Sequence, residues 1–268
     1  MTETGQHPDP VLLDVRGLSL TFGGLRALDG VDLTVAAGEI CGLVGPNGAG
    51  KTSLFNCVSG LYRPTAGTVL VDGTDALRTA PHRLAGLGLA RTFQHPVLQP
   101  DATVLANVLL GGHTRLPARL AGYAVRWPGA RRAERELAAE ARETLDWLGI
   151  AERAGEPAGA LPYGVMKRVE LARALAGQPA LLLADEPAAG LNHEEVGALG
   201  AILKSIRDDR GVTILLVEHH MGLVMQVSDR VVVLDFGRKI AEGSPAEIQR
   251  NPEVIRAYLG DEIEAGRH

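Results

Sequence analysis

Cysteine is scarce in this chain, with only Cys41 and Cys57 among 268 residues. That scarcity excludes a disulfide-stapled scaffold, and the pair lacks the spacing of a thiolate metal site. Both sit in apolar stretches and read as free core thiols. Excess basic charge is missing too: 27 Lys and Arg stand against 32 Asp and Glu, a net −5. Nothing therefore favours bulk binding to nucleic acid or to anionic lipid. No run reaches the roughly 18 consecutive apolar residues of a membrane span. Met1 to Pro10 is polar without a basic-then-apolar leader pattern, so residues 1–10 are expected to be a flexible tail and the chain to work on the cytoplasmic side.

What is present starts with material for a core, since 46% of the residues are hydrophobic, enough for one large domain or two modest ones. The apolar run Ile40 to Val44 leads into Gly45-Pro46-Asn47-Gly48-Ala49-Gly50-Lys51-Thr52, and a helix with Leu54, Phe55 and Val58 on one side follows. This is a complete G-x-x-x-x-G-K-[ST] loop between a strand and a helix. Its glycines let several N–H groups converge on one anion, and the helix adds unpaired N–H groups and its positive dipole end. In such a loop Lys51 reaches the β and γ phosphates and the Thr52 hydroxyl is a Mg²⁺ ligand.

Upstream, Leu18, Leu20 and Phe22 alternate with polar residues, as do Val31, Leu33 and Val35, with Gly23-Gly24 between them. Two half-buried strands follow from this pattern, forming a small antiparallel layer ahead of the loop. Alternation alone puts Phe22 in the core; its flat apolar face also suits stacking on a base. Downstream, Thr68 to Val71 is a strand closed by Asp72-Gly73, and Leu89 to Phe93 is a short buried strand ending at Gln94. Gln94 is either a loop residue or an adjustable ligand to Mg²⁺ or to an attacking water, because its amide both donates and accepts.

Between Gln94 and Leu161 the pattern turns helical. Val104, Leu105, Val108 and Leu109 mark a short helix, and Leu137, Ala141, Leu145 and Leu148 mark an amphipathic one from Ala130 onward. The basic residues from Arg115 to Arg132 read as a solvated face. A buried strand, Leu181 to Ala184, then ends in Asp185-Glu186, and Asn192 with Glu195 forms a capping box for the next helix. Carboxylates at the end of a parallel strand face the ligand crevice beside the phosphate loop. Asp185 suits a Mg²⁺ role and Glu186 the orienting of an attacking water. Val212 to Val217 is another buried strand, ending in Glu218-His219-His220. Near the end, Ser244, Pro245 and Glu247 supply the cap, first-turn proline and third-position acid of a short helix.

Along nearly its whole length the chain resembles the ATPase subunit of an ATP-binding cassette (ABC) transporter, most closely the branched-chain amino acid uptake type. The phosphate loop corresponds to residues 45–52, with Ser53 beside it, the adenine-stacking aromatic to Phe22 and the glutamine loop to Arg91-Thr92-Phe93-Gln94. The Walker B strand corresponds to 181–186, with Glu186 as catalytic carboxylate, and the switch histidine to His219. The signature stretch falls at Leu161-Pro162-Tyr163-Gly164-Val165, where the general family has LSGGQ. Tyr163 and Asn192 are similar to what the uptake subfamily shows, while Pro162, Val165 and His220 depart from the usual residues. Glu186-Pro187-Ala188-Ala189-Gly190-Leu191-Asn192 and the tail from Asp235 to Gly260 narrow the subfamily.

The resemblance implies an α/β P-loop NTPase with a mainly parallel core sheet, an N-terminal antiparallel β layer and a helical insertion. Residues 11–94 and 161–243 would form the nucleotide-binding core, 95–160 the helical subdomain and 244–268 a C-terminal helical tail. It further implies ATP and Mg²⁺ as ligands, with Thr52, Gln94 and Asp185 toward the metal. Pro162, Tyr163 and Gly164 would face the nucleotide of a second cassette, in a heterodimer or a homodimer. Two transmembrane permeases and, indirectly, an external solute-binding protein complete the expected assembly, peripheral to the cytoplasmic face of the plasma membrane and without nucleic acid. Rival readings are a cassette of another system, for urea or amide uptake or lipid export, and a non-transport mechanical ATPase. A P-loop kinase or GTPase would leave residues 161–165 without a purpose.

Overall fold

The computed structural model describes residues 10–115 and 128–265. The chain opens with β1 (Val11–Phe22), β2 (Leu25–Ala36) and β3 (Ile40–Val44), then α1 (Lys51–Val58), β4 (Ala66–Val71), β5 (Thr74–Asp75), α2 (Pro81–Leu84) and β6 (Leu89–Arg91). Helices α3 (Val104–Gly111), α4 (Pro128–Trp147) and α5 (Tyr163–Ala176) precede β7 (Leu181–Asp185), α6 (His193–Arg210), β8 (Thr213–Val217) and α7 (Met221–Val227). The hairpin β9 (Arg230–Asp235) and β10 (Arg238–Gly243) leads into α8 (Pro245–Arg250) and α9 (Pro252–Ala265). The expected flexible tail at 1–10 lies, apart from Pro10, outside the described residues.

Two sheets organise the fold. The first is antiparallel, in the order β2-β1-β4-β5, and the second runs β10-β9-β3-β8-β7-β6, parallel except for β10. Every residue of β3, β7 and β8 is buried, which explains why these strands read as continuous apolar runs: both faces are covered. On one face α1 lies between the two sheets, with Leu54 and Phe55 packed among Leu13, Val15, Leu43 and Leu183. On the other, Leu182, Ala184, Ile214 and Leu216 pack against Leu171 and Leu175 of α5 and Leu199, Leu203 and Ile206 of α6.

In β1, Leu13, Val15, Leu18 and Leu20 are buried, and a register shift between Val15 and Leu18 keeps both on the core side despite their spacing of three. A further shift between Leu20 and Thr21 ends the alternation, so Phe22 is exposed, at 45%, and meets Tyr62 edge-on with centroids 5.3 Å apart. The core placement that simple alternation suggests for Phe22 is thereby overturned.

The helical layer has its own core, in which Val104 and Val108 of α3 meet Ala141 and Leu145 of α4 and Val169 and Ala172 of α5. Helix α5 thus buries residues both in this layer and against the parallel sheet, and joins the two. Where the basic stretch is described, Arg115 pairs with Glu140 and Arg132 with Glu136, and residues 116–127 lie outside the described part. At the C-terminal end, Ser244 and Glu247 cap α8 reciprocally with Pro245 in its first turn, and Ile248 and Val254 pack on Val224, Val231 and Val233.

Both thiols are buried, and burial pushes the Cys41 thiol up to about 12 and that of Cys57 to about 11. The folded protein should therefore resist a water-soluble thiol reagent at pH 8, and both sulfurs should react at once in denaturant. Labelling followed by mass spectrometry checks this, and stoichiometric modification of the native protein would contradict it.

Candidate active site

Parallel strands β3, β8 and β7 lie side by side, and their carboxyl ends deliver the phosphate loop, the histidine pair and the two acids to one edge of the sheet. The curled loop is packed so closely that two of its positions have no room for a side chain. At Gly45 (φ +151°) a Cβ would stand 2.1 Å from the Leu234 carbonyl oxygen, and at Gly50 (φ +100°) it would stand 2.6 Å from that of Ala27. The Gly237 amide donates to the Ala49 oxygen at 3.0 Å, which ties the loop to the β9–β10 turn. Buried Lys51 arches back so that Nζ donates to the carbonyls of Gly45 (2.6 Å) and Pro46 (2.8 Å). The first bond into α1 runs from the Leu54 N–H to the Gly50 oxygen at 2.9 Å, so the N–H groups of Thr52 and Ser53 have no acceptor within the helix. An ammonium, a helix N-terminus and the exposed Thr52 hydroxyl make a donor set that fits a polyphosphate with its metal ion.

Glu186 follows β7 in a left-handed conformation, φ +46°, with its N–H donating to the Val217 oxygen of β8 at 2.9 Å. That backbone costs a non-glycine residue about 1–3 kcal/mol and persists where surrounding contacts over-determine it. Here the contacts are plain: the Gln94 side-chain amide donates to Glu186 Oε2 at 2.6 Å, and His219 Nε2 lies 2.7 Å from Glu186 Oε1. The structure therefore brings Gln94, Glu186 and His219 into one hydrogen-bonded cluster.

Three residues to which the sequence assigns no role of their own hold this cluster in shape. Arg91 Nη2 pairs with Asp185 Oδ2 at 2.6 Å, its Nη1 donates to Asn56 Oδ1 (2.8 Å) and Ser59 Oγ (2.7 Å), and its guanidinium lies between the rings of Phe55 and Phe93. Glu218, 4% exposed, accepts from the Ala188 N–H at 2.6 Å and from the N–H groups of His219 (3.1 Å) and His220 (3.3 Å). Burial pushes its carboxyl upward while those donors oppose the shift. It joins the turn after Glu186 to the turn that carries His219. The third, Lys167, is described below. His220 caps α7, with Nδ1 accepting from the Leu223 N–H at 3.2 Å, a helix-start role that an aspartate would also fill.

Pro162 is the N-cap position of α5, and the exposed Tyr163 sends its hydroxyl to the Gln94 carbonyl at 3.3 Å. At Gly164 a Cβ would stand 2.3 Å from Glu195 Oε1, so a larger residue there would displace the carboxylate that closes the capping box with Asn192. Within this chain the stretch at 161–165 meets the Glu186 cluster through Gln94.

Residues 28–189 match the family described as ABC transporter, and 238–264 match the branched-chain amino acid ATP-binding cassette transporter family. The chain belongs to the ABC transporter family. It is an ATP-binding cassette of that family, a transport ATPase. It is 42% identical to the high-affinity branched-chain amino acid transport ATP-binding protein BraF of Pseudomonas aeruginosa, over 93% of this chain and 98% of the relative. LivG of Escherichia coli, similarly described, is 43% identical over the same shares. Among solved structures, the ADP conformation of MJ1267, an ATP-binding cassette of an ABC transporter, superposes with a TM-score of 0.81 at 30% identity, covering 93% of this chain and 99% of that one.

The side chains of Arg91 and Asp185 are only 9% and 10% exposed, so removing one partner strands a buried charge. Arg91→Met should lower the free energy of unfolding by about 3–5 kcal/mol. Adding Asp185→Asn should recover part of the loss, and urea denaturation of the two variants measures both effects.

Proposed function

We propose that this cassette hydrolyses ATP to drive an uptake transporter for branched-chain or related amino acids, at the cytoplasmic face of the plasma membrane. The observation that carries the hydrolytic part is Glu186, clasped between Gln94 and His219 at the strand end beside the phosphate loop. The solute class is supported by the full-length likeness to BraF and LivG and by the match over residues 238–264. Among the described residues no helix is long and apolar enough to cross a membrane; the transport path is proposed to come from two transmembrane permeases, with an external binding protein supplying the solute, as the likeness to transport ATP-binding proteins implies. The helical layer around α3 and α4 is the surface proposed to receive the permeases.

The proposed roles come from the family resemblance and agree with the geometry. Phe22 stacks on the adenine. Gly45 to Gly50 and Ser53 wrap the phosphates with backbone N–H groups, and Lys51 leaves its two carbonyl partners to neutralise the β and γ phosphates. Thr52, Asp185 and Gln94 are the residues that would hold Mg²⁺, whose charge offsets that of the phosphates. Glu186 orients and polarises the attacking water, and His219 fixes the carboxylate and reaches toward the γ phosphate. Pro162, Tyr163 and Gly164 face the nucleotide of a second cassette, most simply a different subunit, so that nucleotide binding closes the pair and product release opens it.

Replacing Glu186 with Gln should leave ATP binding intact and slow hydrolysis by at least about 100-fold, since the water-orienting carboxylate is lost while the cradle stays. Lys51→Ala should instead weaken binding of a slowly hydrolysed analogue in a calorimetric titration. Near-normal phosphate release from the Glu186→Gln variant would remove Glu186 from the mechanism.

A further inference from the structure

Lys167 on α5 is only 3% exposed; the carboxylates of Glu170, Glu218, Asp185 and Glu186 favour its charge from a distance, while the hydrogen bonds of its ammonium go to main-chain oxygens. Nζ donates to the Gln94 carbonyl at 2.5 Å and lies 3.4 Å from that of Phe93. Burying an ammonium is unfavourable unless its protons are satisfied, so the 93–94 main chain that accepts them and this side chain depend on one another. One turn earlier, Tyr163 directs its hydroxyl to the same Gln94 oxygen at 3.3 Å, and the Lys167 ammonium lies 5.7 Å from its ring centroid. One turn later, Glu170 accepts the Phe93 N–H at 3.1 Å. Residues 163, 167 and 170 share one face of a helix. Together they grip both a donor and an acceptor of the segment whose terminal amide holds Glu186 at 2.6 Å.

We infer that Tyr163 and Lys167 form a positioning clamp on the Gln94 main chain, through which engagement of the α5 N-terminus by the partner's nucleotide sets the placement of this chain's own Glu186. The inference rests on the readings of Glu186 and of residues 162–164 given above, and extends them to the contacts that join α5 to Gln94. It gives Tyr163, which replaces a glycine of the general signature, a task that glycine cannot perform. Lys167 contributes through charge and reach, properties that arginine shares and methionine lacks.

The test uses the full chain in complex with its partner cassette and permeases, reading kcat and KM for ATP. Lys167→Met should lower kcat about tenfold with KM changed less than about twofold, and Lys167→Arg should restore most of the rate. In a Gln94→Ala background, Lys167→Met should cost almost nothing more, because the clamp then has no amide to aim; a purely packing role would multiply the two losses. If Lys167→Met does not fold, Tyr163→Phe removes one hydroxyl from an exposed side chain and should show the same pattern with a loss of about threefold. An unchanged kcat, or losses that multiply in the Gln94→Ala background, would overturn the clamp. Glu186→Gln is assayed alongside: normal turnover there defeats the reading of the site itself, whereas an inactive Glu186→Gln with multiplying clamp losses defeats the clamp alone.

Discussion

A single turn of backbone sets the terms for the site. Glu186 is held in the left-handed region while its N–H reaches Val217 on the neighbouring strand, so β7 and β8 must keep their register for the carboxylate to meet His219. The buried runs of β7, β8 and β3 secure that register, because slipping one residue in a sheet covered on both faces would drive side chains into occupied space. Strand packing, rather than any contact at the surface, is what makes the acid and the histidine neighbours.

Around that turn the protein spends buried charge on shape. Arg91 ties Asp185 to α1 through Asn56 and the C-cap residue Ser59, so the helix behind the phosphate loop and the strand bearing the acids are joined by one side chain. Glu218 joins the turns after β7 and β8. Lys167 and Glu170 hold the segment carrying Gln94 to α5. Buried ionic groups of this kind are poor sources of net stability but impose definite geometry where their hydrogen bonds are complete. The expense falls on the elements that fix the Glu186 carboxylate, as its proposed water-orienting role requires.

Much of this was legible in the sequence, for local reasons. The phosphate loop, the reciprocal caps at Asn192 and Ser244 and the runs of β3, β7 and β8 are specified by neighbours in the chain, and each formed where its pattern lies. Arg91, Glu218 and Lys167 were not legible, since their partners stand 94, 30 and 73 residues away and no periodicity reports a charge buried among carbonyls. Phe22 was misread by alternation because a register irregularity intervenes. Helix α5 is apolar on two sides, so a boundary drawn at 160 divides residues that share one core: Leu161, Val169 and Ala172 pack with α3 and α4. The unusual His220 became intelligible once its ring was seen to cap α7.

The account stands on Glu186 as the group that addresses the attacking water while Lys51 holds the phosphates. A cryo-EM structure of the complete transporter, trapped with Mg²⁺ and a non-hydrolysable ATP analogue, tests this most directly. The account predicts Lys51 Nζ withdrawn from the Gly45 and Pro46 carbonyls onto the β and γ phosphates, with a water between the γ phosphate and Glu186. Nucleotide seated on this chain's loop with the Glu186 carboxylate turned away from it, or Lys51 still bound to its two carbonyls, would contradict it.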